Sequence, residues 1–159
     1  MDTPKLDQID LKILNILQHE GRKKRNMLAE EVNLTTPSVS ERLRKLEEQG
    51  VIRRYAAIVN PKKVGLDLTA FIFVISESST HYGEIVERAM QEDEILECHS
   101  ITGQGSHLLK VCTKNTGTLE KLLSRIQAWP GVKNTVTDVV LSSHKETTAV
   151  PLKYVKEKP

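Results

Sequence analysis

A strand, helix and strand order that runs twice through the second half of the chain limits its fold more than any other feature. Ala70 to Ile75 is a continuous apolar stretch, Tyr82, Ile85, Val86 and Ala89 recur at helical spacing, and Ile95 to Ile101 reads as a second strand. The same order then returns after about 37 residues. Leu108 to Cys112 is strand-like, Leu119, Leu122, Leu123 and Ile126 form a helical stripe ended by Pro130-Gly131, and Val136 to Leu141 closes the unit. Two such units make an α+β domain of ferredoxin-like βαββαβ topology, with both helices on one face of an antiparallel sheet. The other face is left to solvent or to a partner. Ala70 to Ile75 and Val139 to Leu141 are apolar on both sides, so a second subunit is expected to cover it.

The first half reads as three helices. Asp7 is placed to cap the first, with Asp10 three residues on, and Ile9, Ile13, Ile16 and Leu17 recur at helical spacing up to Gly21. A shorter helix lies near Asn26 to Val32, with Leu28, Ala29 and Val32 inward. Asn33 follows as a left-handed turn residue, and Leu34 plugs the corner. The third helix opens with Thr35 or Thr36 as cap and Pro37 at the first helical position, and ends at Gly50. At roughly 100° per residue, Leu43 and Leu46 fall within about 40° of Val39, so one apolar stripe packs inward. The opposite face collects Pro37, Ser40, Glu41 and Arg44, flanked by Ser38 and Lys45. Short hydroxyls, one acid and cations on a capped helix directly after a tight turn are what a helix reading the major groove of duplex DNA requires. Charges alone would fit a solvated surface equally well; the turn favours the groove. Beyond Gly50, the β-branched and small residues of Val51 to Val59 read as a strand, or wing, leading into a linker closed by Asn60-Pro61, with Arg53 and Arg54 displayed beside the reading helix. The boundaries expected are therefore 1–50 for a helix-turn-helix domain, 51–66 for the wing and linker, and 67–159 for the ferredoxin-like domain.

Charge divides along the same line. Residues 1–65 hold 13 Lys and Arg against 9 Asp and Glu, a net +4, whereas the remainder is net −2. Only the first half is suited to a polyanion. Aromatic residues are 4% of the 159, too few for a platform that stacks single-stranded bases. No apolar run reaches the roughly 18 to 20 residues of a membrane span, and the polar, acidic start differs from a signal peptide. A cytoplasmic, nucleoid-associated protein is expected. Cys98 and Cys112 lack the neighbours of a zinc site or a disulfide scaffold, and His19, His81, His99, His107 and His144 form no metal-ligating or triad spacing. The residues imply no metal, no cofactor and no catalytic group.

The chain resembles the Lrp/AsnC, or feast/famine, family of prokaryotic transcription regulators. The residues that carry the resemblance include Leu6-Asp7 with Asp10, Gly21-Arg22, Leu28-Ala29, Val39 with Arg42, Leu46-Glu47, Gly50-Val51-Ile52, Tyr55, Gly65, Thr102-Gly103, Leu108-Leu109, Pro130-Gly131-Val132, Thr137 and Val140-Leu141, from about residue 5 to 153. The resemblance implies a winged helix-turn-helix, a ligand-sensing dimerisation domain, an amino acid or related effector, and homodimers that assemble into octamers. DNA contacts are then expected from Thr36, Ser38, Ser40, Glu41, Arg42, Arg44 and Lys45 on the reading helix, with Arg53 and Arg54 beside it. Effector contacts are expected from Gly103, Gln104, Gly105 and Ser106, with Thr137 nearby.

Two departures from the family pattern stand out. Arg22, Lys23, Lys24 and Arg25 make four consecutive cations before the second helix, where phosphate contacts occur, so a phosphate-heavy, architectural mode of DNA binding is an alternative. Ser106 stands where amino-acid-sensing relatives often carry an acid for the ligand's amino group, which implies a different ligand, or none. Sirohaem decarboxylases resemble the same family. A tetrapyrrole decarboxylase is therefore a distant alternative, disfavoured here by the intact reading helix.

Overall fold

A computed structural model describes residues 4–155; the opening Met1, Asp2 and Thr3 of the polar start, and residues 156–159, lie outside the described residues. The described chain divides into two compact units, one of the residues up to Ile58 together with those from Lys145 on, the other of residues 59–144.

In the first unit, α1 (Gln8–His19), α2 (Arg25–Glu31) and α3 (Thr36–Glu48) surround a core of Ile13, Leu14, Leu28, Ala29, Val39, Leu43 and Leu46. Local chemistry sets several of the boundaries. Asp7 and Asp10 form a reciprocal capping box at the start of α1, and the Thr35 side chain caps α3 through the Ser38 amide. Between α2 and α3 the chain turns at Asn33, whose φ of 54° is the left-handed conformation expected of it, and α3 stops before Gly50 at φ 68°.

The second unit is a four-stranded antiparallel sheet with strand order β2-β3-β1-β4. Its elements are β1 (Leu68–Ser76), α4 (Tyr82–Ala89), β2 (Ile95–Ser100), β3 (His107–Thr113), α5 (Thr116–Gln127) and β4 (Val132–Val139). Ala70, Ile72 and Val74 alternate inward along β1 and meet Leu109 and Val111 of β3, Ile85 and Ala89 of α4, and Leu119, Leu122 and Ile126 of α5. Their neighbours Phe71 and Phe73 point to the opposite face, where they are half-buried, and Val136, paired with Phe73, is exposed there.

Two expectations are corrected. Residues 53–60 carry no ladder: without strand partners among the described residues, they lead to a short 3-10 turn at Pro61–Val64. A lone strand has no neighbour to complete its hydrogen bonds, so β-branched composition alone does not produce one. The second difference is that the ferredoxin-like unit ends at His144 rather than running to residue 159. From Lys145 the chain returns to the first unit, where Leu152 and Val155 pack on its core and Val150 exchanges two hydrogen bonds with the Gln18 amide (2.7 and 3.2 Å).

Candidate nucleic-acid interface and effector hairpin

The outward face of α3 is built as its spacing requires. Thr36, Ser38, Glu41, Arg44 and Lys45 are exposed and Ser40 is half-buried, while Val39, Leu43 and Leu46 are buried beneath them. Thr35 Oγ1 and Ser38 Oγ lie 2.9 Å apart at the helix start. From α2, Arg25 Nη1 reaches Ser40 Oγ at 3.5 Å, so two elements meet over the middle of this face. Tyr55 donates to Glu47 Oε1 (2.9 Å) and fixes the chain after Gly50 against α3; burial and that carboxylate push its phenol up to about 12.

The cations divide sharply by partner. Arg44 donates from Nε (2.9 Å) and Nη2 (2.7 Å) to the two oxygens of Glu41 and from Nη1 to Glu48 Oε1 (2.5 Å). The Arg44 guanidinium holds the Glu41 carboxyl down at about 2, so Glu41 remains ionised at neutral pH. Lys45 Nζ also lies 3.6 Å from Glu41 Oε1. Lys23 is held by Glu31 and Glu20, which raise its pKa, and its side chain is only 12% exposed. By contrast, Arg22, Lys24, Arg25, Arg53 and Arg54 are exposed and make no ion pair among the described residues.

Arg42 departs from its expected place. Its Nη1 donates to Asp7 Oδ2 and Asp10 Oδ1, both at 2.7 Å, so it ties α3 to the capping box of α1. Burial pushes the Asp7 carboxyl up, but the Asp10 amide and Arg42 outweigh it and hold it below the usual carboxylate range. Sequence reading missed Glu48, Glu20 and Glu31 as partners, although all three lie three, four or eight residues from the cations they hold. It also missed the Arg42 contacts, whose separations of 32 and 35 residues leave no local signal.

Residues 101–106 form the hairpin between β2 and β3. Gly103 and Gln104 are exposed and Gly103 has φ 111°. Gly105 packs so closely that a Cβ there would lie 2.9 Å from the Val74 carbonyl oxygen. Ser106 is buried, contrary to the expectation that its hydroxyl faces a ligand. Its amide (2.8 Å) and its Oγ (3.1 Å) both donate to Val74 O. With the hydroxyl proton used there, His107 Nδ1, 2.9 Å away, donates to Ser106 Oγ, and Nε2 is a bare acceptor with no partner among the described residues. His107 is fully buried, edge-on to Tyr82 with ring centroids 5.0 Å apart, and burial lowers its pKa. Thr137 is half-buried on β4 opposite Ile72. It is not brought against the hairpin residues: β3 and β4 flank β1 on opposite sides, about 10 Å apart at two strand spacings.

A capped helix-turn-helix with an exposed polar third helix, followed by a ferredoxin-like sheet domain, defines a DNA-binding regulator carrying a ligand-binding domain. A model of winged helix-turn-helix DNA-binding domains matches residues 6–53, and one of the Lrp/AsnC ligand binding domain matches residues 69–150. The chain belongs to the Lrp/AsnC family of transcriptional regulators. It is 38% identical over 148 residues to HTH-type transcriptional regulator FL11 of Pyrococcus abyssi, covering 93% of this chain and 97% of that one. It is 34% identical over 151 residues to the leucine-responsive regulatory protein of Escherichia coli strain K12, covering 93% and 92%. Among solved structures, it matches a transcriptional regulator from Neisseria meningitidis in complex with L-Met, with TM-score 0.89, 32% identity and coverage of 94% and 98%. No helix among the described residues is long and apolar enough to cross a membrane.

Proposed function

We propose that this protein is a cytoplasmic, nucleoid-associated transcriptional regulator that reads duplex DNA through the outer face of α3. The observation that carries this reading is the capped α3 itself, its apolar face fully used in the core and its hydroxyls, acid and cations left outward. Thr36, Ser38, Ser40, Arg44 and Lys45 meet base edges and nearby phosphates, and Arg22, Lys24, Arg25, Arg53 and Arg54 meet the backbone. Arg42 and Lys23 act inside the fold. The half-buried Phe71 and Phe73 and the exposed Val136 support a homodimer joined through the open sheet face, and the family relationship supports further assembly to an octamer. In the dimer or octamer, an effector meets Gly103, Gln104 and Gly105, with Thr137 as a further hydroxyl. Ser106 and His107 shape the hairpin from beneath. Without an acid at position 106, ordinary amino acids lack a charge partner for their amino group.

The test is direct. In gel-shift titrations of a duplex selected by this protein from a random library, the combined Ser40→Ala, Arg44→Ala and Lys45→Ala variant loses binding while remaining folded. Unchanged affinity removes α3 from the interface. A second reading, architectural binding with little sequence preference, is favoured by the five exposed cations around α3. It requires the selected and unrelated duplexes to bind within a few-fold of each other.

A further inference from the structure

The reading face carries as many acids as cations. Glu41, Arg44, Lys45 and Glu48 form a closed set, with Glu41 three residues before Arg44 and four before Lys45, and Glu48 four residues after Arg44. Their formal charge sums to zero, so this part of α3 adds little unspecific attraction for phosphate. Arg44 nevertheless remains 54% exposed on its side chain. A guanidinium has five N–H donors in a planar fork, and three are committed: Nε and Nη2 to Glu41, Nη1 to Glu48. One donor on Nη1 and one on Nη2 remain, and that pair matches the side-by-side O6 and N7 acceptors of guanine in the major groove.

We propose that Glu41 and Glu48 are the specificity-determining residues of α3, acting as positioning residues that hold Arg44 in one fork geometry so that it reads a single guanine. This rests on the assignment of α3 as the reading helix and says which interaction makes the reading selective. Two physical effects act together. The acids remove rotamer freedom from Arg44 before DNA arrives, so less is lost when it binds. They also repel phosphate, so the guanidinium gains little by sliding onto the backbone, and a wrong base at that position leaves its free donors unpaired. Lys45 shares Glu41 but has no planar fork, and contributes no comparable discrimination.

The experiment uses the full chain, a duplex selected by the wild-type protein from a random library, copies of that duplex with each guanine replaced in turn by 7-deazaguanine, and an unrelated duplex. Wild type, Arg44→Ala, Glu41→Gln and Glu48→Gln are titrated against each. At one guanine the loss of N7 weakens wild type by about 5- to 150-fold, and Arg44→Ala is indifferent there. Both Glu variants bind the unrelated duplex as well as or better than wild type, yet lose at least fivefold of the preference for the selected duplex and most of the sensitivity at that same guanine. Glu variants that retain full preference and full sensitivity overturn the proposal. So does a loss of discrimination at a cytosine instead, read with further copies of the duplex in which each C·G pair is replaced in turn by T·A, which would make Glu41 a direct acceptor of the cytosine amino group. Wild type that binds no duplex overturns the reading of α3 as well, an outcome distinct from either.

Discussion

Arg42→Ala separates a residue that holds the fold from one that reads DNA. In the wild type, Nη1 of Arg42 serves two carboxylates at 2.7 Å, with side-chain exposures of 29% for Arg42, 15% for Asp10 and 47% for Asp7. An exposed ion pair contributes about 0.2 to 1 kcal/mol, and a charge-assisted hydrogen bond shielded from water about 1.5 kcal/mol or more. The half-exposed Asp7 contact falls at the low end and the sheltered Asp10 contact near the boundary, so the loss is about 1.5 to 2 kcal/mol. For a unit of this size that lowers its melting temperature by about 6 to 16 °C. Urea unfolding followed by circular dichroism should show a lower midpoint for the first unit at unchanged slope. Asp10→Ala combined with Arg42→Ala should destabilise by less than the sum of the two single changes. Well below its melting temperature, the Arg42→Ala protein should keep the wild-type ratio of selected to unrelated duplex binding. A variant as stable as wild type that loses selected-site affinity tenfold would refute the reasoning and return Arg42 to the DNA surface.

Lys24→Ala should lower the magnitude of the slope of log K against log salt by about 0.9, whereas Lys23→Ala should leave it unchanged because Glu20 and Glu31 already hold that ammonium. Acidification should weaken the second unit: the buried His107 takes up its proton less readily folded than unfolded, so its contribution is complete above about pH 6.5 and is lost as pH falls below that value. Thermal melts from pH 7.5 to 5.5 should show the decline, and His107→Phe should flatten it. Gly105→Ala should destabilise the hairpin by about 1 to 3 kcal/mol by pressing a methyl group onto Val74 O, measurable by urea unfolding. Calorimetry with the twenty amino acids should give no micromolar dissociation constant, since losing one charge-assisted hydrogen bond costs about 1.5 to 3 kcal/mol, roughly 10- to 150-fold.

Short-range order was legible in the sequence because its signals lie within a turn or two. Asp7 with Asp10, Asn33, Thr35 with Pro37, and Gly50 each constrain a few neighbouring dihedrals, and the structure places caps and turns at those positions. Apolar period did the same for the sheet and its two helices. Residues whose partner lies far along the chain were misread. The family resemblance counts Arg42 among the DNA contacts although a helix wheel sets it beside the apolar stripe, about 60° from Val39, and only the packing of α1 against α3 brings up the carboxylates that hold it. Ser106 looks like a loop hydroxyl, and only the register that sets His107 opposite Val74 buries it. Residues 145–155 carry too few apolar side chains to announce which core they join; Leu152 and Val155 decide it.

That return of the chain shapes the order in which the molecule can be made. The pairing of Gln18 with Val150 spans 132 residues, and closing a flexible loop of that length costs about 4 kcal/mol beyond the constant term. Two hydrogen bonds at about 1 kcal/mol each do not meet it alone, and the packing of Leu152 and Val155 on the core must supply the rest. The intervening sheet unit, once folded, is no longer a flexible loop, and the closure becomes much less demanding. The first unit is thus completed only after residues 145–155, which lie beyond the sheet unit, have been translated and docked. A nascent chain, or one cut after His144, presents its three helices without the contacts of Val150, Leu152 and Val155 that finish them, so a protease acting at that one point opens the DNA-reading unit while leaving the sheet unit whole.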